Sequence, residues 1–389
     1  MHHDEQIRIL KVLMHQLDTD TNIDAGGQRK NPSWVYTCPD HAKKEWDLFF
    51  RKHPQVIGLS ADLPEKGSFM TLEDFGIPLL ATRDPEGRFR AFANVCRHRN
   101  TIVEGEKCGT KRNFVCPFHA WVYSSSGELV SMPKPSHFGE IDRSQRGLIE
   151  YPAVEKYGFL WVHPVRGAEL DVDALLGGLA PEWESWGFDD MKRVGSDTFD
   201  MPLNWKLATD TFGETYHFTS LHKNTLANGF YGNVQGYDVY GRNHRMMLCT
   251  KGIDALRELP ESEWRVTEGA SPNYYLFPNV QVNLGPHSTT ILVRIYPHPE
   301  DVGRSISRIG FYAPKGIAAE AAAAVKTGLH FFASVIRDED YRAGASSQVG
   351  ANSGATDHVI FGRNEPALHH YHNTFREALG MEPLPLLPG

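Results

Sequence analysis

The chain has 389 residues, a formal net charge of −8 and 41% hydrophobic residues. That length suggests about two domains with enough apolar side chains for a sizeable core. The mild acidity and the lack of a basic block argue against a nucleic-acid partner. Five cysteines (Cys38, Cys96, Cys108, Cys116 and Cys249) form an odd, sparse set. Such a set argues against a disulfide framework and, with histidines close by, for metal.

Residues 1–20 are polar and charged, unlike a secretory signal. Residues 1–50 read as partly helical, then irregular. Short strands follow. Residues 77–83 and 89–95 flank Asp84-Pro85-Glu86-Gly87, a turn sequence. Further strands are expected at 113–115, 121–123 and 158–162, with Ser124 to Gly127 as a turn. Residues 172–186 read as helical, and 203–221 as a single helix. Strands are clearest at 274–282 and 289–296, and a long helix is expected over 317–341. Its Glu320, Lys326 and His330 make it a globular helix rather than a membrane span. The chain therefore reads as soluble and cytoplasmic. Strands followed by a long helix suggest an α+β fold.

Two constellations carry chemistry. The first is Cys96-Arg97-His98 and, after 17 residues, Cys116-Pro117-Phe118-His119. Two thiolates and two imidazoles suit a tetrahedral zinc site. They also suit a Rieske cluster, in which two Cys hold one iron and two His the other. Each loop offers one Cys and one His, unlike common zinc fingers, and this favours the second reading. Cys108 lies in the spacer and is not an expected ligand; Cys38 and Cys249 read as ordinary thiols.

The second constellation is Asp210, Glu214, His217 and His222. On one helix the first three share a face. His222 then lies about 140° away from His217. The two imidazoles can meet one metal only if the helix ends or distorts between them. Taken alone, the pair also reads as incidental histidines on an amphipathic helix; the family resemblance given below implies a carboxylate as third ligand, in a two-His-one-carboxylate site with positions left for O₂ on Fe(II). Asp338, Glu339 and Asp340 are the candidate carboxylates. Asp340 continues the apolar stripe from Phe332 through Ile336 at i+4 steps, so it is expected to face inward; Asp338 is the runner-up.

The text from Asn94 to Arg99 and from Cys116 to Trp121 resembles the Rieske domains of ring-hydroxylating oxygenase α subunits. Asn204-Trp205-Lys206, Glu214-x-x-His217-x4-His222, and Glu339-Asp340 with Gln348 resemble that family's catalytic iron motif. Ala120 stands where the family usually has Gly. The resemblance implies an N-terminal segment (1–50) packed on the catalytic domain, a small all-β Rieske [2Fe–2S] domain (51–164) and a helix-grip catalytic domain (165–389). It implies Cys96, His98, Cys116 and His119 as cluster ligands, and His217, His222 and Asp340 as ligands of mononuclear Fe(II). Glu214, usually Asp in the family, would bridge His119 of one subunit to His217 of the next; Asp210 would support the iron network. Expected partners are a separate NAD(P)H-linked reductase, with or without a ferredoxin, a small organic substrate and O₂. The assembly would be a homotrimer, with or without β subunits. The expected reaction is hydroxylation of an aromatic or similar apolar compound. Oxidative N- or O-demethylation is the alternative, and a non-enzymatic electron carrier or metal-binding protein the reading from another class.

Overall fold

A computed structural model describes residues 1–387. The chain divides into two compact units. One holds residues 47–175 and 187–192, the other residues 1–46, 176–186 and 193–389.

The smaller unit is built from short antiparallel strands. Leu79–Arg83 and Phe89–Ala93 pair in register across the expected turn, which Gly87 closes onto the Asp84 carbonyl at 2.9 Å. They lie inside a five-stranded sheet. A second sheet contains Asn113–Val115, Val122–Ser124 and Leu129–Ser131. Its second turn needs Gly127. The residue has φ +83°, and a Cβ there would lie 2.4 Å from Phe92. Phe69, Leu80, Phe92, Phe114, Trp121 and Tyr123 fill the core between these strands.

The larger unit is organised by a seven-stranded sheet. The expected strand over 274–282 is really two. Ala270–Leu276 and Val280–Leu284 fold back on each other, with Leu276 opposite Val280. The turn is Phe277-Pro278-Asn279, whose proline cannot donate to a ladder. Asn243–Thr250, Ala270–Leu276 and Val280–Leu284 are buried on both faces almost throughout, so helices must cover both sides. The N-terminal helix His3–Thr19 covers one side, packing Ile9, Leu10 and Leu13 against Met247, Cys249 and Ala270. The opposite face carries His244, Tyr275 and Gln281, which meet Tyr371 of the helix Pro366–Ala378.

The long helix also covers that second face, with His330 packed on Phe311. It outruns the sequence expectation. Ala319–Val335 passes through one wide π turn, Ile336–Asp340, into Tyr341–Ser353. The expected helix over 203–221 is cut short. It spans only Trp205–Asp210, and a 3₁₀ turn follows at Tyr216–Thr219. Among the described residues, no helix is long and apolar enough to cross a membrane.

Candidate metal centres

The smaller unit brings Cys96, His98, Cys116 and His119 together through two loops of matching design. In each, the Cys N–H donates to the residue five positions on, Thr101 or Trp121, at 2.8 Å. The residue four positions on, Asn100 or Ala120, donates back to the Cys carbonyl at 3.0 Å. Both of these residues adopt the left-handed region, at φ +59° and +54°. That conformation costs Asn little and Ala more.

The thiols of Cys96 and Cys116 are buried, and the rings of His98 and His119 meet edge-on at 4.5 Å. Trp121 stacks on His98 at 5.0 Å, and Phe138 closes its edge. Burial lowers the His98 pKa, and the His119 and Arg99 charges lower it further. Neutral imidazole is the ligating form. Nδ1 of His98 and Nδ1 of His119 are both fully buried without a hydrogen-bond partner among the described residues. Two orphaned acceptors beside two buried thiols fit a two-iron cluster held by two Cys and two His. The Tyr123 hydroxyl lies 3.3 Å from the Cys96 sulfur and accepts from the Arg97 N–H at 2.9 Å. In sequence Trp121 and Tyr123 read as core packing with some shielding of the cluster, and the fold puts the Tyr123 hydroxyl at the Cys96 sulfur.

The larger unit gathers His217, His222 and Asp340. The two Nε2 atoms are 3.1 Å apart, and Asp340 Oδ1 lies 3.3 and 3.1 Å from them. Donors at right angles around an ion with bonds of about 2.1 Å are about 3.0 Å apart. The three groups therefore fit one cation, all on one side of it.

The break between the histidines has local causes. Asn204 caps the helix Trp205–Asp210 by accepting from the Lys206 N–H at 2.9 Å. A buried Lys206–Glu45 pair at 2.7 Å ties that helix down. Gly213 then lies under the helix Pro366–Ala378, where a Cβ would come 2.7 Å from Leu368. Asn273 donates to the Phe212 carbonyl at 3.2 Å, and the Asn233 N–H to the Thr215 carbonyl at 3.1 Å. The segment is thus fastened to the sheet and cannot run on as a helix. His217 sits on the 3₁₀ turn, and His222 lies beyond it.

Glu214 accepts from the His217 backbone N–H at 3.1 Å and contacts Nδ1 of the same residue. Asp210 is turned elsewhere. Its carboxylate takes the Tyr36 hydroxyl at 2.9 Å and His372 Nε2 at 3.0 Å. Among the described residues no hydrogen bond joins it to the three clustered groups, so the shared helix face of the sequence reading is corrected by the helix end at Asp210. His369, His370 and His372 are held by neighbouring protein groups. Asp338 pairs with Arg337 on the surface and is not in the cluster. Glu339, by contrast, lies 2.6 Å from His222 Nδ1 and accepts from Thr225 at 2.8 Å. Burial lowers the His217 pKa, but Asp340 and Glu214 outweigh it and hold the group up at about 9.

A cavity of about 640 Å³ opens in the larger unit. Phe230 on its wall packs edge-on against Phe218 at 5.8 Å. Phe218 in turn packs on both His217 and His222. Phe332, also on the wall, is two helical turns before Asp340.

A thiolate–imidazole pocket in one unit and a two-His-one-carboxylate cluster in the other are the donor sets of an iron–sulfur cluster and a mononuclear non-haem iron site. The Rieske [2Fe-2S] domain family matches residues 53–152, and the ring hydroxylating alpha subunit (catalytic domain) family matches residues 188–381. The chain belongs to the Rieske non-haem iron oxygenases of the ring-hydroxylating α-subunit type. These domains imply a Rieske cluster and mononuclear iron as cofactors. Choline monooxygenase of Spinacia oleracea is 28% identical over 72% of this chain, a match that spans 63% of the spinach protein. The carnitine monooxygenase oxygenase subunit of Escherichia coli K12 is 26% identical over 88% of this chain and 91% of its own length. The quaternary ammonium Rieske monooxygenase CntA, solved with L-carnitine, superposes with a TM-score of 0.76 at 19% identity, covering 91% of this chain and 96% of that one. Naphthalene 1,2-dioxygenase from Rhodococcus sp. gives 0.72 at 17% identity, covering 96% and 98%. At these identities the superpositions speak for the fold.

Proposed function

We propose that this chain is the terminal oxygenase of a multicomponent system that hydroxylates an aromatic or similar apolar organic compound. The observation that carries the reading is the cluster of His217, His222 and Asp340, in a unit that also holds a largely apolar cavity linked to it through Phe218 and Phe230. In the proposal Cys96, His98, Cys116 and His119 hold the cluster, and the three clustered groups hold iron. When bound, the two groups supply single electrons and an O₂-binding metal.

The chain's own residues do the rest. Phe218, packed on His217 and His222 with Phe230 behind it, gives the site an apolar flank. Glu339 orients His222 through Nδ1 and leaves Nε2 for the metal, the usual second partner of a ligating histidine. Glu214 orients His217 in the same way. Its position also suits the role of a bridge from His119 of one subunit to His217 of the next, within a homotrimer. A separate reductase supplies the electrons. The domain limits 1–50, 51–164 and 165–389 belong to the same proposal.

A second reading is oxidation of a quaternary amine. It rests on the choline and carnitine monooxygenases among the relatives and on Glu268, the one charged side chain among the described residues lining the cavity. The deciding experiment is turnover with a surrogate reductase, NADH and ¹⁸O₂, scored by product mass against a substrate panel. Labelled oxygen in an apolar compound is expected. Product only from quaternary amines would move the assignment to the second reading, and a colourless protein holding only zinc would overturn both.

A further inference from the structure

Two carboxylates stand behind the clustered histidines, and they are held in different ways. Glu214 is three residues before His217 and accepts from that residue's own backbone N–H at 3.1 Å, so its place is set locally. Glu339 reaches His222 from the long helix, across 117 residues of sequence. Its side chain is 25% exposed. A glutamate gives up much rotamer freedom when it is fixed. One that is free to swing into water needs a second donor to keep it on an imidazole.

Thr225 is that donor. Its Oγ1 lies 2.8 Å from Glu339 Oε2, the same oxygen that lies 2.6 Å from His222 Nδ1. Thr225 is tied to His222 in turn, because its backbone N–H donates to the His222 carbonyl at 2.9 Å. These bonds close a ring that runs from the His222 backbone through Thr225 and Glu339 to the His222 imidazole. The hydroxyl is spent on nothing else. Thr225 precedes the 3₁₀ turn Leu226–Asn228, at the position where a Thr side chain commonly caps the turn. Among the described residues its side chain makes no such bond. Its other acceptor, the His222 carbonyl, is farther away at 3.3 Å. The single hydroxyl proton therefore goes to Glu339.

We propose that Thr225 is a positioning residue of the mononuclear metal centre. It holds the Glu339 carboxylate on His222 Nδ1, which keeps that nitrogen as the donor and leaves the lone pair of Nε2 for the metal. The inference rests on the reading of His217, His222 and Asp340 as iron ligands and adds a group that acts on them through Glu339. Without the hydroxyl, Glu339 turns toward solvent and His222 loses its fixed orientation.

The test uses the full chain with its cluster in place and oxidised, and with the mononuclear site emptied by chelation. Cobalt(II) is the probe. Calorimetry gives its affinity, and EPR reports its surroundings. Thr225→Val keeps the shape and removes the hydroxyl. It should bind cobalt roughly tenfold more weakly, the worth of one hydrogen bond to a charged group, and shift the cobalt signal. Thr225→Ser restores the hydroxyl and should return both readouts to those of the parent. In a Glu339→Ala background, Thr225→Val should cost less than about twofold more, because the hydroxyl has nothing left to hold. An unchanged visible spectrum of the cluster shows that each variant is folded. Parent-like affinity in Thr225→Val, failure of Thr225→Ser to restore it, or the same loss in the Glu339→Ala background would each overturn the proposal. A His222→Ala protein that binds cobalt as tightly as the parent would instead overturn the metal-centre reading, and this proposal with it.

Discussion

The carboxylate of Glu339 lies 2.6 Å from Nδ1 of His222. Its sequence neighbour Asp340 reaches the other nitrogen of the same ring, at 3.1 Å. Adjacent residues on a regular α-helix point about 100° apart. The π turn Ile336–Asp340 widens the helix at this point, and both carboxylates face one imidazole. Such turns recur at functional sites.

Glu339→Ala should therefore weaken the iron site without touching the cluster. Loss of a carboxylate behind a ligating histidine typically costs about 10- to 100-fold in metal affinity. Iron titration of the metal-free protein measures it, and the visible spectrum of the cluster should stay unchanged. Affinity equal to that of the parent protein would remove Glu339 from the site.

Glu214→Gln tests a different link. The amide keeps the shape and can still reach His217, so both metal groups should stay bound. Electron transfer from cluster to iron should slow by at least roughly tenfold, the worth of one charge-assisted hydrogen bond. Single-turnover kinetics reads this step alone, and an unchanged rate would end the bridging role.

Metal affinity should rise with pH. His217 has its pKa held up at about 9 in the metal-free protein. Near neutral pH the ring is protonated, whereas ligation needs the neutral form. Burial lowers the His222 pKa, but Asp340 and Glu339 outweigh it and hold that group up as well, so binding must expel at least one proton and affinity should climb at least about tenfold per pH unit between about pH 7 and pH 9. Cobalt titrations across that range, with proton release followed in weak buffer, supply both slope and stoichiometry. A flat profile would overturn either the raised His217 pKa or its place among the ligands.

Ala120→Gly should stabilise the cluster-binding unit. Ala120 sits at φ +54°, where a Cβ is strained. Relief of that strain, less the greater freedom of an unfolded glycine, leaves a gain of about 1 kcal/mol. Asn100→Gly, at φ +59°, should gain less because Asn tolerates this region. Thermal unfolding of the two variants gives the comparison.

Leu10→Ala probes the N-terminal helix. Leu10 is fully buried against the large sheet. Truncation should cost about 2–5 kcal/mol in denaturant unfolding. Iron and cluster content at room temperature should not change, because this helix covers the sheet face opposite the metal-binding segment.

Much of this chemistry was legible in the sequence because ligands come in short, rigid spacings. Cys96 to His98 and Cys116 to His119 are each one tight loop, so chain connectivity alone puts two donors near one point. His217 and His222 needed a helix break, and the sequence demanded one without locating it. Gly213 looks permissive in sequence. Only the packed helix Pro366–Ala378 makes its missing Cβ the reason the chain turns there. Asp210 was misplaced for the same cause, since a helix periodicity carries no record of where tertiary contacts end it.

Tertiary structure alone decided that Glu339 joins Asp340 at one imidazole. The apolar stripe from Phe332 through Ile336 already favours Asp340 over Asp338, but it assigns Glu339 no partner. The π turn sends Asp338 to the surface beside Arg337, and Glu339 and Asp340 to His222. The sequence by itself determined the two donor sets and the oxidation chemistry they allow, since local spacing sets donor identity. Where those donors point follows from long-range packing that no local pattern encodes.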